Sequence, residues 1–154
     1  MMNNLNGVIG SPRLQTLTAT AAMVVPDNSN CTNLMGAAGA ALTFTLPEAT
    51  GSGDVYRFAV SVVNTSNYLI KVDSASAVMD GQITTASTGD TPDLAQPWVT
   101  ASTSDTITLN GTTTGGVAIG DWVELHDIAA NQWAVTGETT TSGTEATPFS
   151  ATVS

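Results

Sequence analysis

The sequence predicts an all-β fold: a single-domain β-sandwich or jelly-roll-like barrel over residues 15–154, preceded by an extended N-terminal arm over residues 1–14. Two observations carry that prediction. Thr (26 residues) and Ser (13 residues) together make about a quarter of the 154 residues, while charged residues make only 10%, against roughly a quarter in ordinary globular chains. Thr suits a pleated surface, and the 14 Gly and 6 Pro punctuate it with turns. The second observation is alternation of apolar and polar residues in short runs, each bounded by Gly, Pro, Asn or Asp. Helical bundles need Leu, Glu, Lys and Ala at 3.6-residue spacing, and that pattern is missing.

Taken in order, residues 1–14 have no period and carry Asn, Gly, Ser and Pro, which reads as an arm. Gln15 to Val25 alternates and reads as a strand, ended by the turn cluster Pro26 to Asn30. Thr43 to Leu46 alternates again and is closed by Pro47. Val55 to Val62 and Tyr68 to Val72, joined by Asn64-Thr65-Ser66-Asn67, read as a hairpin. Ala77 to Met79 is short, and Asp80-Gly81 reads as a tight turn before Ile83. Residues 84–96 are polar and read as an exposed loop. Asp105 to Leu109 ends at Asn110-Gly111, a strong hairpin signal leading to Val117 to Ile119. Trp122 to Ile128 and Gln132 to Thr136 form a second hairpin, with Trp122 and Trp133 expected to share core packing. Pro148 to Val153 is the terminal strand, for a total of about nine.

Charge limits the partners. Three cations (Arg13, Arg57, Lys71) stand against 13 Asp and Glu, a net charge of −10 and a pI near 4.1. Binding to nucleic acid or an anionic membrane surface needs clustered cations that release counterions, so neither is expected. No segment approaches the roughly 20 apolar residues of a membrane span. Cys31 is the single cysteine, so no internal disulfide is expected, and the start of the chain lacks a secretory signal pattern. Folding in a cytoplasm is the expectation.

Chemistry is sparse. Glu124 and His126 share a strand face, but His126 has no second His or Cys for a zinc site. Asp80, Asp90, Asp121 and Glu124 are the candidates for a glycosidase-type carboxylate pair, and most fall at turns, where Asp bonds its own backbone. Loops at Asp90 to Asp93 and Gly120-Asp121 offer oxygen ligands, without an EF-hand pattern. The expectation is therefore no enzyme, no cofactor and no metal.

Gly51 to Val72 (GSGDVYRFAVSVVNTSNYLIKV), Asp105 to Gly116 (DTITLNGTTTGG), Gly120 to Val135 (GDWVELHDIAANQWAV) and Gly143 to Phe149 resemble small virion structural proteins of tailed bacteriophages, particularly those of marine and freshwater bacteria including cyanobacteria. The resemblance covers most of residues 45–153 and no catalytic motif. It implies a capsid decoration, or cement, protein: a β-rich subunit, often a homotrimer, bound to the major capsid protein on the exterior of the head. The residues singled out for capsid or oligomer contact are Leu5, Val8, Ile9 and Arg13 in the arm, and Trp98 after the polar loop. The arm would act by adding a strand to a neighbouring sheet edge. The rival expectation is a receptor- or glycan-binding module of a phage fibre or head, which an exposed aromatic shelf at Trp98, or at Trp122 and Trp133, would favour.

Overall fold

Apolar residues alternating with Thr, Asn and charged residues build twelve strands in the computed structural model, which describes residues 13–89 and 94–153. They are β1 (Leu14–Leu17), β2 (Ala21–Ala22), β3 (Cys31–Met35), β4 (Leu42–Thr45), β5 (Val55–Val60), β6 (Tyr68–Lys71), β7 (Val78–Ser87), β8 (Ala95–Val99), β9 (Thr106–Leu109), β10 (Trp122–Ala129), β11 (Gln132–Thr141) and β12 (Phe149–Ser150). A seven-stranded sheet runs β1-β3-β5-β10-β11-β7-β8, and a five-stranded sheet runs β12-β9-β6-β4-β2. The two pack face to face as a β-sandwich. Both sheets are mixed and open, so the jelly-roll barrel is not formed.

The first six strands alternate between the sheets. β1, β3 and β5 pair in parallel in one, while β2, β4 and β6 pair in parallel in the other. This corrects the expected hairpin over residues 55–72. β5 and β6 each carry a fully apolar face, and the linker between them crosses the roughly 10 Å separating packed sheets. Its backbone and that of the 36–41 linker beside it are satisfied together. Asn64 donates to the Ala40 carbonyl at 2.8 Å and accepts from the Ser66 N–H at 2.7 Å. The Tyr68 hydroxyl accepts from the Ala37 N–H at 2.8 Å and faces the carbonyls of Ala37 and Val62 at 2.6 and 2.8 Å.

Other expectations change for similar reasons. Gln15 to Val25 is not one strand, because the chain leaves β1 for the other sheet at β2. Leu14, assigned to the arm, already pairs with Thr32; residues 1–12, with Leu5, Val8 and Ile9, lie outside the described residues. β3 has no counterpart in the sequence reading. Asp80-Gly81 is not a turn but lies inside β7, which runs on through Thr84 to Ser87, while Ala95 and Gln96 open β8. Both ends of the expected 84–96 loop are therefore strand. Asn110-Gly111 does turn the chain, with Gly111 at φ 71°, but β9 pairs with β6 and β12, and residues 117–119 are not a strand. The expected β10–β11 hairpin is present, turned at Asn131 (φ 62°).

The core lies between the sheets. Phe44 stacks on Phe58 and on Tyr68, with centroids 5.7 and 6.2 Å apart. Trp133 meets Tyr56 edge-on at 5.6 Å, and both are fully buried. Trp122 and Trp133 do not share this core: Trp122 pairs with Glu138 and Trp133 with Asp127, and alternation puts the two indoles on opposite faces of the sheet. At the sheet edge, β8 turns alternate residues toward β7, where Thr100 N–H bonds Gly81 and Ser87 N–H bonds Leu94. Pro97 faces away from that ladder, the position where a missing N–H costs nothing.

Gly81 sits at φ 147°, and a Cβ there would lie 2.0 Å from the Val135 carbonyl oxygen. Gly81→Ala is therefore expected to cost at least about 2 kcal/mol in denaturant unfolding. Gly39→Ala, at a position with nothing within 4 Å, should stay within about 0.5 kcal/mol of the parent.

Candidate functional site

The outer face of the seven-stranded sheet is organised in rows that cross every strand. Leu14, Thr32, Arg57, Glu124, Thr136, Gln82 and Val99 are successive partners from one edge to the other. The next row is Thr16, Leu34, Ala59, Trp122, Glu138, Thr84 and Pro97. At ordinary strand spacing this face is roughly 30 Å across.

Four side chains cluster near its middle. The Arg57 guanidinium carbon lies 3.9 Å from the centre of the Trp122 ring, and Arg57 Nη1 is 3.4 Å from Glu124 Oε2. Glu124 Oε1 is 2.8 Å from His126 Nε2. One carboxylate thus serves two nitrogen-bearing side chains, as expected for Glu124 and His126 on one strand face. The Arg57–Glu124 pair is partly solvated and adds well under about 1 kcal/mol, but with the indole it fixes a flat, half-buried Trp–Arg centre. Exposed Leu14 and Val99 mark the two ends of the Arg57 row. The outer face of the smaller sheet differs: Thr43, Leu69 and Thr108 form one row and Thr45, Lys71 and Thr106 the next, with no aromatic residue.

The other singled-out residues lie apart from this cluster. Arg13 donates to the carbonyls of Pro26 and Asp27 at 2.9 and 3.1 Å, which ties the start of β1 to the 26–30 turn. Trp98 sits opposite Ile83, half-buried, packed against the core with its indole N–H enclosed and unpartnered. Asp90 and Asp93 lie outside the described residues. Asp80 is on the outer face, two strands from Glu124. Among the described residues no three His, Cys, Asp or Glu side chains converge.

Asp121, a candidate for both carboxylate and calcium chemistry, is buried and already occupied. Its carboxylate accepts the N–H groups of Gly116, Ala118 and Thr140 (3.0, 3.3 and 2.8 Å) and the Thr140 hydroxyl at 3.0 Å. Asp127 does the same for the 50–52 segment, accepting the N–H groups of Thr50, Gly51 and Ser52 at 3.0, 2.6 and 3.1 Å and the Ser52 hydroxyl at 2.8 Å. Asp105 accepts the N–H groups of Thr152 and Val153 at 2.8 and 3.1 Å, holding the chain beyond β12. These carboxylates fasten loops.

Sequence reasoning missed Arg57 and Glu138 as neighbours of Trp122. The signal for Arg57 was a cation inside an otherwise apolar strand; its meeting with Trp122 depends on the β5–β10 register, separated by over sixty residues. No known protein family, curated protein or solved structure matches this chain.

Burial favours the neutral acid at Asp127, but the donated N–H groups of Thr50, Gly51 and Ser52 outweigh it and hold the carboxyl below its ordinary value of 3.8. A depressed folded value means that Asp127 contributes its stability above the unfolded value and loses it as pH falls through the folded one. Asp127→Asn should thus cost about 2–3 kcal/mol at neutral pH. The deficit should shrink on acidification below about pH 4, as read by urea unfolding across pH.

Proposed function

We propose that this chain is a structural virion protein that decorates the outside of a phage head, binding the major capsid protein through the outer face of its seven-stranded sheet and stabilising the joints between capsid subunits. One observation carries the choice of face: it presents a half-buried Trp122–Arg57 centre flanked by apolar Leu34 and Ala59, whereas the face of the smaller sheet is a threonine ladder. Trp and Arg are the residues that anchor protein interfaces, and a face roughly 30 Å across accommodates a standard interface of about 800 Å² per partner. The sequence resemblance to tailed-phage virion proteins supplies the identity of the partner. The strand ladders support the reading as well, because a face built on paired strands loses little entropy on docking. Identical copies would close as a ring, and a homotrimer over a symmetry axis is the proposed form.

The glycan-binding alternative has less support. Its aromatic shelf would need Trp122 and Trp133 together or Trp98 alone, yet Trp133 is fully buried and Trp98 packs on the core.

The test is co-sedimentation of the purified chain with undecorated, expanded capsids. Trp122→Ala is expected to weaken binding at least about tenfold, and Leu34→Arg to abolish it. Thr108→Arg, on the other sheet's outer face, should bind as the parent does. Equal behaviour of all three variants, or no binding by the parent, would overturn the proposal.

A further inference from the structure

We infer that the depression on the β11 side of Trp122 is a receptor for an arginine side chain of a partner protein. The inference deepens the assembly reading above, because it names the chemistry that this face takes from its partner. The depression has a volume of about 340 Å³ and is bordered by Trp122, Glu138, Thr84, Thr140 and Asp121. Trp122 and Glu138 are direct cross-strand partners there, so an indole and a carboxylate stand side by side. Glu138 is exposed and, among the described residues, has no ion-pair partner.

The chain's own cations do not serve it. Arg13 is bound to the carbonyls of Pro26 and Asp27, Arg57 lies over Trp122 and against Glu124, and Lys71 belongs to the other sheet. The neighbouring Asp121 carboxylate is saturated by its N–H and hydroxyl donors and leaves only its negative charge in the depression. Among the described residues no cation is left for Glu138, in a molecule whose net charge is −10.

The geometry selects guanidinium. A planar, weakly hydrated cation stacks on an aromatic face and bonds a carboxylate with two parallel N–H groups, whereas a lysine ammonium offers a strongly hydrated point charge. The opposite side of Trp122 already displays the same arrangement in place: a guanidinium at 3.9 Å from the ring centre with a carboxylate at 3.4 Å. The partner's arginine would repeat with Glu138 what Arg57 makes with Glu124.

The experiment titrates the full chain with hexaarginine and with hexalysine at low ionic strength, by calorimetry and by the indole N–H resonances of the three tryptophans. Hexaarginine is expected to bind more tightly than hexalysine and to shift the Trp122 resonance alone. Glu138→Gln should weaken hexaarginine about tenfold. Glu48→Gln, which removes the same charge from an exposed loop position, should change affinity by about twofold or less. Equal losses in the two variants, no preference for arginine, or an unmoved Trp122 resonance would overturn the inference. The parent reading fails separately. Arginine binding as described, with no sedimentation on capsids, removes the decoration proposal and leaves the receptor. Capsid binding that Glu138→Gln leaves intact, with no peptide binding, does the reverse.

Discussion

A strand that leaves one sheet for the other takes its linking backbone out of every ladder, and below the surface those N–H groups must find acceptors or cost stability. This chain makes that crossing five times in its first six strands. It meets the demand with polar side chains placed at the bends: Asn64 and the Tyr68 hydroxyl beside the 36–41 linker, Asp127 under the 50–52 segment, and Asn28, which accepts from the Val24 N–H at 2.9 Å. The later loops follow the same rule through Asp121 and Asp105. Three of the 13 acidic residues, Asp105, Asp121 and Asp127, are thus accounted for inside the molecule. The core aromatics pack between sheets whose spacing these bends set.

How much was legible in the sequence follows from which residues report on local and which on distant structure. β4, β5, β6 and β9 were found within a residue or two because each alternates and ends at a turn residue. The β10–β11 hairpin was found because Asn131 and its neighbours make a local turn. What failed was pairing. Nothing local separates a hairpin from an arch when both flanking strands have one apolar face, so residues 55–72 read as the commoner form. Asp80-Gly81 misled because a glycine needed for close approach to Val135 looks the same in sequence as one needed for a turn. At the candidate face, the Glu124–His126 pair was visible as an i, i+2 relation on one strand, whereas Trp122 with Arg57 and Glu138 exists only through register.

Sparse charge makes the partners of each cation readable. Two of the three cations are bound within the molecule, to carbonyls or to Trp122 and Glu124. The face they leave is acidic beside a flat aromatic centre. On the proposed reading, such a surface would repel its own copies face to face and favour a partner of opposite sign, which is specificity achieved by excluding the wrong encounter as much as by welcoming the right one.

Pro97 has a bearing on how copies of this protein live together. Its ring takes the outward position in the middle of β8 where a neighbouring strand would seek a donor. A long flat sheet with an open border invites growth from molecule to molecule. With that border interrupted, strand-to-strand growth along β8 is disfavoured, and association at this edge is left to side chains.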